Sequence, residues 1–165
     1  MSLVTTPHTF ATSEVVTAAT LNTEIHDPFV GIQAAWTAYT PTLTNIGGTY
    51  TIQAAYLQIG KTVKVRVRFS SNGGTTYSAG TLGISAPVTP HADYTSGANG
   101  DWGVGSGIIQ PVTKQGATVV FATTTSGVFN LFTDNVASGG LVTNTNPGTF
   151  GTASLISFTA VYEAA

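Results

Sequence analysis

The chain contains no cysteine, a single methionine, and charge on only 7% of its 165 residues, against roughly 25% in an ordinary soluble domain. Without cysteine there are neither disulfide staples nor thiol chemistry. Five Lys and Arg against seven Asp and Glu leave a formal net charge of −2. No basic excess exists to neutralise phosphates, which argues against nucleic-acid binding driven by counterion release. No apolar run approaches the ~18 residues that span a bilayer as a helix, so no membrane partner is expected. Residues 1–10 lack the basic and apolar regions of a secretion signal, and export by that route is not expected.

What the chain does have is 42% apolar residues, 19 glycines and 30 threonines. Thr is β-branched and stiff at χ1, and with the aromatic residues it favours strands over helices or disorder. A surface so poor in charge suits a protein covered by partners or by its own copies, and equally a neutral extracellular β-domain.

Residues 1–35 differ from the rest. The first ten read as an extended arm. Thr17 then offers an N-cap to a helical stretch over 18–25, and Asp27-Pro28 offers a second start, with proline at the first helical position. Leu21, Ile25, Phe29, Ile32 and Trp36 are spaced four, four, three and four apart, which places them on one helix face bent near Pro28. A helix this short needs tertiary packing. The stripe therefore packs either on its own β-domain or against the same stripe of sister chains.

From Trp36 the pattern becomes period two. Candidate strands fall at 36–44, 49–59, 62–70, 80–85, 102–110, 117–124, 127–133 and 153–162, separated by Gly-, Asn- and Pro-rich turn material such as Asn45-Ile46-Gly47-Gly48 and Ser71-Asn72-Gly73-Gly74. About eight short strands with no intervening helix predict an all-β antiparallel β-sandwich or jelly roll over 36–165, preceded by the arm and helical segment. The clearest strand alternates Val63, Val65, Val67 and Phe69 with Lys64, Arg66 and Arg68. Four of the five cations lie within Lys61 to Arg68. Arg66 and Arg68 either face solvent or sit at a subunit boundary, pairing with carboxylates or carbonyls of a neighbour.

Motifs for chemistry are few. Gly60-Lys61-Thr62 has the ending of a phosphate-binding loop, but Ala55 stands where the first glycine belongs and a strand follows where a helix is needed. Gly60 instead reads as the tight turn between two hairpin strands. No serine lies in a nucleophile-elbow motif. The carboxylates of the β region that could serve a hydrolase are Asp93, Asp101, Asp134 and Glu163. Asp93 and Asp101 bracket a loop with Tyr94 and lead into Trp102, which makes Asp93, Tyr94, Asp101 and Trp102 the candidate glycan platform and the two acids the hydrolase pair to test. Their spacing matches no calcium loop. No catalytic residue, metal or cofactor is expected.

Val16-Thr17-Ala18-Ala19-Thr20-Leu21-Asn22 resembles a segment near the start of many small phage tail and fibre proteins. Trp36-Thr37-Ala38-Tyr39-Thr40-Pro41-Thr42-Leu43-Thr44, followed by Tyr56-Leu57-Gln58-Ile59-Gly60-Lys61-Thr62-Val63-Lys64-Val65-Arg66-Val67, resembles the β-domain that follows it there. The combination, over about residues 7–70, is similar to virion proteins of phages infecting actinobacteria, often called minor tail proteins. That resemblance implies a non-enzymatic structural protein, a homotrimer on the particle surface contacting other tail proteins and host-surface glycan. The short chain also suits a capsid decoration protein seated between capsomers on the major capsid protein. A carbohydrate-binding module is the reading from a different class.

Overall fold

The computed structural model describes residues 9, 11–26, 30, 35–95, 102–111, 113–121, 127–133 and 140–165, with the backbone alone at positions 24, 25, 95 and 102. Thr17 caps the first helix as its sequence position suggests. Its hydroxyl oxygen accepts the Thr20 N–H at 3.1 Å, and α1 (Ala18–Leu21) runs into a π-helical turn over Asn22–His26. The second helix start, at Asp27-Pro28, lies outside the described residues, as do Phe29 and Ile32.

Ten strands follow among the described residues: β1 (Thr37–Ala38), β2 (Leu43–Thr44), β3 (Ile46–Ile59), β4 (Thr62–Tyr77), β5 (Gly83–Ser85), β6 (Trp102–Gln110), β7 (Gln115–Phe121), β8 (Val128–Thr133), β9 (Gly140–Leu141) and β10 (Leu155–Glu163). All pairings are antiparallel. They form one sheet in the order β1-β3-β4-β10-β6-β7-β8-β5-β2, with β9 beside β8.

The expected all-β antiparallel class is what the strands build, but in place of two facing sheets the ladders make one continuous sheet, curled into a half-barrel. The chain itself dictates the curl. β1 and β2 lie at opposite ends of the strand order, yet only residues 39–42 separate them. Nine strands laid flat at ~4.8 Å spacing would span roughly 38 Å, whereas five Cα–Cα steps reach less than about 19 Å. The ends must therefore approach each other.

The segment expected as a single strand over 36–44 is thus two, broken at Thr40-Pro41, where proline supplies no ladder N–H. One further residue, Asn45, joins β2 to β3 with φ +60°. Asparagine tolerates this left-handed conformation. Its side-chain amide donates to the Thr81 carbonyl at 2.8 Å, and its carbonyl accepts the Ser78 N–H at 3.0 Å.

The turn after β3 is where Gly60 predicts it, since Ile59 pairs directly with Thr62. Two other expected turns are not turns. Asn45-Ile46-Gly47-Gly48 and Ser71-Asn72-Gly73-Gly74 lie along the open end of the β3–β4 hairpin, where Gly47 pairs with Thr76 and Gly48 with Thr75, followed by a bulge. Gly48 has φ +75°, and a side chain there would collide with the Gly74 carbonyl. Glycine serves close backbone approach here, and that signal is hard to tell from a turn.

The enclosed face of the sheet holds the core. Val63, Val65, Val67 and Phe69 of β4 are buried, as are Ile156, Phe158, Ala160 and Tyr162 of β10. Phe129 stacks on Phe121 at 4.8 Å and meets Phe158 and Tyr162 edge-on at 5.5 and 5.7 Å. Tyr39, Tyr50 and Tyr56 also pack on this core, Tyr39 against Tyr56 at 6.0 Å and Tyr50 against Phe69 at 5.5 Å. On β6 the inward positions opposite Phe158 and Ala160 are Gly107 and Gly105. A Cβ on Gly107 would press against Phe158 Cβ at 2.5 Å and Cα at 2.9 Å, so β6 approaches β10 only because these side chains are missing.

Gly107→Ala should therefore destabilise the fold by about 1–3 kcal/mol, the usual result of overpacking, measurable as a lower denaturation midpoint at unchanged slope. Buried tyrosines give a second expectation. Burial, above all, raises the Tyr162 pKa from 10.0 to about 12, although the Val88 backbone it bonds favours the ionised form and Tyr56 disfavours it; burial raises Tyr39 further. The unfolded chain ionises these groups near 10 while the fold still holds their protons. Their stabilisation is complete below about pH 10 and is lost as pH rises through 12. Ultraviolet titration should show fewer phenolates at pH 11 in the folded protein than in the denatured chain; equal counts would disprove the assignment.

Candidate functional site

The face of the sheet turned away from the core carries the chain's concentrated positive charge. The alternation of β4 sends Lys64, Arg66 and Arg68 outward, all exposed, while valines fill the core between them. Strand pairing then sets their neighbours. Arg66 lies between Ala55 of β3 and Thr159 of β10, and Arg68 between Gln53 and Ser157. One strand further, Ser106 stands opposite Thr159 and Ile108 opposite Ser157, while Ala38 of β1 stands opposite Ala55.

Two transverse rows result, with long arginines standing among alanines, serines and threonine. The short residues leave a groove of about 1020 Å³. A smaller groove of about 540 Å³ shares Ser106 and Gly107 with it and is lined on its far side by Lys114.

Trp36 borders this face. The Arg66 Cζ lies 4.6 Å from the centre of its ring, a cation–π contact that fixes the guanidinium. Trp36 and Arg66 are thus brought together by β1 pairing with β3 and β3 with β4. Every residue directly opposite the three cations is neutral: Gln53, Ala55 and Leu57 on one side, Ser157, Thr159 and Val161 on the other. The single carboxylate on β1, β3, β4, β6 and β10 is Glu163, opposite Thr62 at the end of the column.

The other candidate residues are placed as follows. Leu21 is on α1 with 44% of its surface exposed; Ile25 is in the π-helical turn, its side chain outside the described part. Asp93 and Tyr94 share a 3₁₀ turn (Ala92–Thr95). Asp93 is exposed, its Oδ2 3.3 Å from His91 Nδ1. The Tyr94 ring packs on Phe121 at 5.5 Å, and its hydroxyl accepts the Glu163 N–H at 3.1 Å, so the residue fastens its loop to β10. Asp101 and the ring of Trp102 lie outside the described residues; the Trp102 backbone pairs with Phe121. Among the described residues no three His, Asp or Glu side chains gather as a metal site needs.

Sequence reasoning singled out Arg66 and Arg68 only as subunit-boundary residues and missed Gln53, Ser106, Ile108, Ser157 and Thr159, which line a groove with them. Alternation gives each strand its outward residues; that β10 lies between β4 and β6, which brings Ser157 and Thr159 beside the arginines, is not legible locally. In comparisons with known proteins, no family model, curated protein or solved structure matches the chain.

Arg66→Gln should remove the stacked guanidinium and lower stability by about 0.5–1 kcal/mol. In a Trp102→Phe background it should also shift the emission of Trp36, while Arg68→Gln leaves that emission unchanged. Identical spectra for all three proteins would contradict the contact.

Proposed function

We propose that the chain is a non-enzymatic structural protein of a phage particle surface, assembled as a homotrimer through residues 1–35, with residues 36–165 displayed as a jelly-roll-like body. The observation that supports self-association is the exposure of apolar side chains in the described part of the N-terminal segment. α1 buries none of its residues, and Val15, Val16, Leu21 and Val30 are 84%, 44%, 44% and 41% exposed. The β-body meanwhile has its own complete core. An apolar segment left outside such a core gains by burial against other chains, at roughly 1.5–3 kcal/mol per large side chain. The Leu21, Ile25, Phe29, Ile32 and Trp36 stripe is the surface we assign to that contact.

The virion setting comes from the resemblance of residues 7–70 to small tail proteins, and host attachment at the tail is its use there. Capsid decoration is the alternative site for the same architecture. The two differ in copies per particle: hundreds on a head, a few to a few dozen at a tail.

Sedimentation of the full chain at micromolar concentration should give a trimer, and Leu21→Asp with Ile25→Asp should give a monomer whose β circular dichroism is unchanged. A stable monomer of the unaltered chain would overturn the assembly reading.

A further inference from the structure

We propose that the outer groove of β3, β4, β10 and β6 is a binding site for an acidic saccharide, whose carboxylate or phosphate groups are held by Arg66 and Arg68. The inference deepens the host-attachment reading and rests on it for the source of the glycan. The groove itself is complete within one chain.

Charge is the first argument. Arg66 and Arg68 lie two residues apart on one strand, their Cα atoms roughly 7 Å from each other. Among the described residues neither guanidinium takes part in a hydrogen bond or an ion pair, and the one partner of Arg66 is the Trp36 ring, which accepts no conventional hydrogen bond. Fork-shaped donors without an internal acceptor match a carboxylate or phosphate. Among the described residues no carboxylate lines the groove to compete.

The remaining lining chooses the kind of anion. Ser106, Ser157, Thr159 and Gln53 offer hydroxyl and amide groups that both donate and accept, as a polyhydroxylated ligand requires. Ile108, 41% exposed, and the exposed Ala38 give apolar area for the C–H face of a sugar ring. The site lies on the face of interior strands, so a peptide cannot add to it as an extra strand. The size fits an oligomer: the groove continues past Ser106 and Gly107 into the smaller one at Lys114, a third cation on the same path.

The test uses the full-length Trp102→Phe protein, with Trp36 as reporter, titrated at low salt with oligogalacturonate as the carboxylate probe and with a phosphorylated oligosaccharide as the phosphate probe. Saturable change in Trp36 emission with either probe, absent with a neutral oligosaccharide of equal length, is expected, and the stronger probe identifies the acid group. Arg68→Gln should weaken binding roughly tenfold or more, as loss of a charge-assisted contact does, with Arg68→Lys intermediate and sedimentation unchanged. The proposal is overturned if neither probe binds, if polyglutamate binds as tightly as the saccharide, or if Arg68→Gln changes the oligomeric state, which would make this face a subunit boundary. Loss of the trimer with binding retained removes the assembly reading alone; loss of binding with the trimer intact removes this one alone.

Discussion

Four residues tether the two extremes of a nine-strand ladder, and the shape of the molecule follows from that short connection. Because residues 39–42 bridge β1 and β2, the sheet between them has to bend until its ends meet. Bending encloses one face, and an enclosed face must be apolar or fully hydrogen-bonded. The stacked and edge-on ring contacts among Phe121, Phe129, Phe158 and Tyr162 fill the volume that results. The Tyr162 hydroxyl, the polar end of this cluster, donates to the Val88 carbonyl at 2.7 Å. Asn45 makes the bend possible at the other side of the tether, holding the corner with its side chain as well as its backbone.

A strand that supplies four fully or nearly fully buried core residues, Val63, Val65, Val67 and Phe69, also supplies the charge outside. On β4 the inward valines and the outward cations cannot be moved independently, since a one-residue slip in register would exchange them. Neighbouring cations ~7 Å apart in water repel by only about 0.6 kcal/mol, which a stable core tolerates. Their field is felt over roughly 8 Å at physiological salt. A chain with so few charges has little else to compete with that field, so whatever approaches this face meets it almost undiluted.

Much of the sheet was legible locally. Alternation located β4 and its two faces, Gly60 located the hairpin turn, and Thr17 located the start of α1. Where local signals failed, they did so for one reason: the deciding partner is distant in sequence. Gly47-Gly48 and Gly73-Gly74 resemble turns until the first pair is seen in a ladder with Thr76 and Thr75 and the second in the bulge beside it. The segment around Pro41 resembles one strand until its halves are seen to serve opposite ends of the sheet. The outer groove is the extreme case, because Arg68 and Ser157 are neighbours only through the insertion of β10 between β4 and β6. A sheet assembled from such non-local pairings also closes late and slowly during folding.

The two glycines of β6 have a consequence for how proteins of this shape diverge. Gly105 and Gly107 are locked by the backbone and side chain of β10 behind them. Ser106 and Ile108, interleaved with them, point away from that contact and reach only the groove. Substitution is thus forbidden at alternate positions and nearly free at those between. The chemistry of this wall can therefore be rewritten one side chain at a time without disturbing the crease that keeps the half-barrel bent.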